Sequence, residues 1–118
     1  MVPHFALVEE QSDGGIDIAV VSGEIHVSTA PRLRHGLEAM IARGDATIVL
    51  DLTAVEFIDS TGLSVLLNGL RLINQRGGHM VLVCKNPTVL RLFQITSLDA
   101  TFDIVADRDT AIARLTAG

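Results

Sequence analysis

The chain has 118 residues, 48% of them apolar, and a formal charge of −5 at pH 7, which suits a single domain large enough to bury about two-thirds of the surface its unfolded chain exposes. With no Trp or Tyr and four Phe, the core has to be built from Leu, Ile, Val and Ala, a composition of ordered globular chains. The nine Lys and Arg are spread singly or in loose pairs, which leaves no basic stripe for nucleic acid, and no segment approaches the roughly 18 uninterrupted apolar residues that span a bilayer.

In chain order, residues 5–9 and 16–21 are apolar-rich runs separated by SDGG, a turn cluster that predicts an N-terminal β-hairpin. From Ser28 the spacing becomes helical: Ala30, Leu33, Leu37 and Met40 recur on one side, Pro31 suits a first turn and Gly44 a stop. Residues 46–52, ATIVLDL, are almost continuously apolar, as expected of a central strand covered on both faces, and residues 79–84, HMVLVC, have the same character. Between them lies a strongly periodic helix whose stripe is Leu63, Leu66, Leu67, Leu70 and Ile73, ended by Gly77-Gly78. Strand, helix and strand in that order predict a right-handed parallel crossover. Asn86-Pro87 opens a short helix carrying Val89, Leu90 and Phe93; a brief strand is expected over 101–104, and a last helix over 107–117 carries Ala111, Ile112 and Leu115. These elements make one α/β domain over residues 1–118, a mixed sheet of four or five strands with about four helices.

Asp59-Ser60-Thr61-Gly62, which opens the crossover helix, is where the polar chemistry concentrates. A helix N-terminus leaves about four N–H groups unpaired and carries roughly half a positive charge, so it accepts an anion such as a phosphoserine. Asp, Ser and Thr are equally the residues that merely cap helices. FIDSTG also resembles the Asp-Ser/Thr-Gly signature of aspartic proteases, but one extra residue precedes the glycine, and a second carboxylate is lacking. Ser60 has neither a G-x-S-x-G elbow nor a neighbouring His to make it a nucleophile. His4, His26, His35 and His79 lack metal-ligand spacing, and the glycines form no nucleotide loop, so neither metal nor cofactor is expected. Cys84, alone in an apolar run, reads as a small buried hydrophobe.

The helix wheel places Val65, Gly69 and Leu72, beside Ser64 and Asn68, outside the apolar stripe. This small face is either a docking surface next to Ser60 or a face covered by neighbouring helices. Asp59 has two readings as well, a cap or a group that orients the Ser60 hydroxyl for a kinase.

Taken together, SGEI at 22–25 with Ala30 and Leu33, VLDLTAVEFIDSTGLSVLL at 49–67, Gly77-Gly78, and NPTVLRLFQITSLD at 86–99 resemble the STAS domain family, and within it the single-domain anti-sigma factor antagonists. The resemblance implies a phosphorylation-controlled partner switch and no enzyme. Its serine falls on Ser60; the expected contacts with the partner are Asp59, Thr61, Gly62, Ser64, Val65, Asn68, Gly69 and Leu72. The implied partners are an anti-sigma factor with serine kinase activity and a phosphoserine phosphatase, with no direct nucleic acid and no membrane insertion. His26 stands where many relatives continue with Asp. The start MVPHFALVEE has no secretory pattern, so a cytoplasmic location is expected. The family also contains adaptors of stress-signalling assemblies and of lipid transport, which is the alternative reading; a small hydrolase using Ser60 or Asp59 is a third.

Overall fold

The structure, a computed structural model, describes residues 4–44 and 47–116. Ala46, where the central strand is predicted to begin, and Ala117, where the last helix is predicted to end, lie outside the described residues. The chain opens with the expected hairpin, β1 (Ala6–Gln11) antiparallel to β2 (Asp17–Ile25). Ser12 closes its turn: its carbonyl accepts from the Gly15 N–H at 2.9 Å and its hydroxyl from the Ile16 N–H at 3.1 Å.

Then follow α1 (Ala30–Ala42), β3 (Thr47–Ile58), α2 (Ser60–Gln75), β4 (His79–Val83), α3 (Pro87–Ile95), a 3-10 turn over Leu98–Ala100, β5 (Asp103–Val105) and α4 (Arg108–Thr116). The sheet order is β1-β2-β3-β4-β5, parallel throughout except for the first pair, so β3 is central. The helix ends follow side-chain chemistry. Asn86 caps α3 by accepting from the Thr88 N–H at 2.9 Å, and Asp107 caps α4 by accepting from the Thr110 N–H at 2.8 Å. Gly77 turns α2 off in the left-handed region at φ 72°, which lets the Gly78 N–H bond the Ile73 carbonyl at 3.0 Å.

Both faces of the sheet are covered. On one, Leu33, Leu37, Leu66, Ile73, Val89 and Phe93 of α1, α2 and α3 pack on inward residues such as Val21, Ile48, Leu50 and Leu82. On the other, α4 brings Ala111, Ile112 and Leu115 onto Ile18, Val49, Val81, Val83 and Val105. This explains why residues 47–52 read as continuously apolar. Asp51 is the exception, a carboxylate 5% exposed. It accepts from the Thr53 N–H at 2.9 Å and from Arg108 Nε at 2.6 Å, and Arg108 also reaches Glu10 at 3.0 Å.

β3 runs six residues past its predicted end. The ladder with β4 stops at Asp51–Val83, yet residues 53–58 continue along the far half of β2 through two register shifts. Flanked on one side only, this ribbon leaves Thr53, Ala54, Glu56 and Phe57 exposed, and it lacks the apolar continuity that marks a doubly covered strand.

Candidate functional site

The ribbon delivers the chain to the carboxyl-terminal end of the sheet, where the Asp59 N–H donates to the Ile25 carbonyl at 3.1 Å, so the turn is tied to β2. Asp59 has extended backbone, φ −109° and ψ −175°; its carboxylate accepts from the Gly62 N–H at 3.0 Å and its carbonyl from the Leu63 N–H at 3.0 Å. This is the capping arrangement. Gly62 is fixed for a steric reason: a Cβ there would lie 2.6 Å from Ile25 Cγ2 and 2.7 Å from Ile58 Cγ1. The first turn of α2 therefore rests directly on the ends of β2 and β3, with no layer between.

Ser60 and Thr61, the first two residues of α2, are exposed. The Ser60 carbonyl accepts from the Ser64 hydroxyl at 3.0 Å, while no described residue hydrogen-bonds the Ser60 hydroxyl. The Ser60 and Thr61 N–H groups have no partner within the helix, and the helix dipole adds about 0.3 to 1 kcal/mol in favour of a negative charge there. Beside Ser60, Leu63, Ser64, Leu67, Thr96 and Leu98 line a shallow hollow between α2 and the end of α3. That hollow contains no acid or base.

The structure corrects the expected docking face. Val65 is 5% exposed and Gly69 is buried, its missing Cβ pointing to within 3.4 Å of Leu37 on α1 and 3.5 Å of Met80 on β4. Neighbouring elements cover this side of α2: a Cβ at position 69 would already be in van der Waals contact with both, which leaves no room for a longer side chain. Gly62 is buried as well, and Leu72 is half-buried. Thr61, Ser64 and Asn68 stay accessible and, with Arg34 and Glu38 of α1, rim a second depression on the opposite flank of α2. A substitution such as Gly69→Arg consequently reports on helix packing and not on docking.

Three apolar residues that the pattern did not single out bracket the turn. Phe57, 43% exposed, lies three residues before Ser60; Val27, 69% exposed, is at the tip of the loop that follows Ile25; Ile95, 70% exposed, precedes Thr96 of the hollow. Ile95 had a signal in sequence, since it falls off the Val89 and Phe93 side of α3. Exposure of Val27 and Phe57 depends on where β2 and β3 end, which no local pattern records.

Remaining candidates fall elsewhere. Among the described residues no three potential ligands gather to hold a metal ion, and no helix is long and apolar enough to cross a membrane. Cys84 is buried, and burial pushes its thiol up, away from the reactive thiolate.

Known proteins resemble this arrangement closely. The family model described as the STAS domain matches residues 8–111. The anti-sigma F factor antagonist of Paenibacillus polymyxa is 36% identical over 110 residues, covering 92% of each chain. The anti-sigma-B factor antagonist of Listeria monocytogenes is 35% identical over 97 residues, 82% of this chain and 84% of the relative. The crystal structure of an anti-sigma factor antagonist from Mycobacterium paratuberculosis superposes with a TM-score of 0.87 at 32% identity, covering 95% of this chain and 94% of that one. The hairpin, the parallel crossover and the capped serine turn thus occur in a chain that belongs to the STAS domain family.

Proposed function

We propose that the protein is a cytoplasmic anti-sigma factor antagonist acting as a partner switch, and that it catalyses no reaction of its own. With Ser60 unmodified it binds an anti-sigma factor that is also a serine kinase, which frees the sigma factor for transcription. Phosphorylation of Ser60 by that kinase ends the binding, and a phosphoserine phosphatase restores it. The observation that carries this reading is an exposed Ser60 hydroxyl that no described residue hydrogen-bonds, on a turn held by the Asp59 cap and the close packing of Gly62.

A phosphate brings about −1.5 to −2 charges at neutral pH. At the exposed start of α2 the dipole favours it slightly, so the fold tolerates it. Between Ser60 and a docked surface the same charge has to find a cation or lose its water, at a cost on the order of several kcal/mol, and each 1.4 kcal/mol is about tenfold in affinity. Docking is blocked while the domain stays folded.

The test is affinity capture from the native lysate with wild-type, Ser60→Ala and Ser60→Asp baits, followed by mass analysis. A kinase-like anti-sigma factor retained by the first two and lost by the third is the expected result. Retention by all three overturns the switch and leaves a constitutive adaptor. Circular dichroism of the Ser60→Asp protein has to match wild type, since loss of secondary structure would mean the charge acts by unfolding.

A further inference from the structure

β1 is an outer strand of the sheet, and among the described residues no strand pairs with its free side. The hairpin turn settles which of its backbone groups face that side. The Ser12 N–H donates to the Ile16 carbonyl at 2.9 Å, which makes 12 and 16 a hydrogen-bonded pair, and such pairs alternate along an antiparallel ladder. Ala6, Val8 and Glu10 therefore turn their N–H and C=O groups to β2, while those of Leu7 and Glu9 point outward. An edge of this kind is a template for another strand.

The side chains along the edge alternate between the two faces of the sheet. On the α1 side, the Arg32 guanidinium lies 5.0 Å from the centre of the Phe5 ring, Leu7 fills the space where a Cβ on Gly36 would stand, and Glu9 pairs with Arg43. Phe5, Leu7, Arg32, His35 and Ala39 wall an open groove between β1 and α1. On the α4 side, Glu10 pairs with Arg108, and Val8 is 54% exposed. Among the described residues no carboxylate pairs with Arg32, and Glu9 keeps 44% of its side chain exposed beside Arg43. From Phe5 to Glu9 the α1 side of the edge thus runs from a cation through an apolar centre to an anion, a row that complements itself when reversed.

We propose that β1 is a self-association edge, at which a second copy of this chain pairs antiparallel across a two-fold axis at Leu7 and continues the sheet. The side chains select that register. An axis at Glu9 would set the carboxylate directly against its own copy, which is destabilising, and an axis at Val8 would set it against Leu7. With the axis at Leu7, the two Leu7 side chains meet, Val8 is covered by Ala6, and Glu9 lies opposite Phe5, within the reach of Arg32. The groove under α1 receives Leu7 and Glu9 of the second copy. The two sheets run in opposite directions across this axis, so their carboxyl-terminal ends, and with them the two Ser60 turns, face away from each other and stay open. The association does not depend on what Ser60 does.

The experiment is sedimentation equilibrium together with amide hydrogen exchange on the wild-type protein at rising concentration. A reversible monomer–dimer equilibrium is expected, with exchange at the Leu7 and Glu9 amides slowing as the dimer fills. Glu9→Arg and Arg32→Glu each bring like charges together and weaken the dimer about tenfold, and the two substitutions combined restore it. A monomer at every concentration overturns the proposal and leaves the edge to some other chain. A dimer whose Leu7 and Glu9 amides exchange as freely as in the monomer overturns it too, as does a combined variant that associates no more tightly than the single ones.

Discussion

At the scale of single residues, the turn that presents Ser60 is over-determined, and the residue next in consequence after Ser60 is one without a side chain. Any Cβ at Gly62 would overlap Ile25 and Ile58, both nearly fully buried and unable to yield. Gly62→Ala is therefore expected to lower unfolding stability by about 1 to 3 kcal/mol, the cost of overpacking, seen as a reduced urea midpoint. Asp59 was legible in sequence as a cap, and the bond to the Gly62 N–H bears that out. The steric demand on Gly62 was not legible, because it comes from Ile25, which is distant in sequence and adjacent only once β2 and β3 are paired.

Among the elements, α2 shows why one face of a helix can be read from sequence and the next cannot. Its stripe of Leu63, Leu66 and Ile73 is buried as predicted, with Leu67 and Leu70 partly so at the rim. Val65 and Gly69 lie off that stripe and were open to two readings, since helical spacing records where a residue points but not what comes to cover it. Here α1 does, with Leu37 against Gly69. Gly69→Leu is expected to destabilise the domain by about 1 to 3 kcal/mol by prying α1 from α2, with a lowered thermal midpoint by circular dichroism. An unchanged midpoint would mean that the close approach of the two helices is wrong. The extension of β3 escaped the sequence for a related reason: a ribbon paired on one side tolerates Thr, Glu and exposed Phe that a doubly covered strand does not.

For the molecule as a whole, the ion network on the second face joins the first strand, the central strand and the last helix through Glu10, Asp51 and Arg108. Burial alone pushes the Asp51 carboxyl up; hydrogen bonds from the Thr53 hydroxyl, Arg108 and the Thr53 N–H, together with the Arg108 charge, outweigh it and hold the carboxyl below its ordinary value of 3.8. A carboxyl lowered on folding contributes stability above its unfolded value, and that contribution is lost as the pH falls through the folded one. Wild type is thus expected to keep this contribution down to about pH 4 and to lose it below. Arg108→Ala leaves burial less opposed and moves the loss to higher pH. Because Arg108 is itself 37% exposed, its removal at neutral pH costs about 1 to 3 kcal/mol and not the larger figure of a fully buried pair. Denaturant titrations at pH 7 and pH 4 check both, and equal acid sensitivity of the two proteins would sink the assignment. The sheet, its central strand and its α/β order were legible because doubly covered strands and periodic helices leave strong local patterns. The network was not, because its partners are separated by as many as 98 positions.

That separation bears on how the chain is made. The lid over Val49, Val81 and Val83 is α4, which is made after every strand of the sheet, so a nascent chain can seat α1 and α2 on one side of the sheet while the opposite side stays bare. Closure waits until α4 has been made, and in that interval the uncovered valines are the place where a chaperone binds or a second nascent chain sticks.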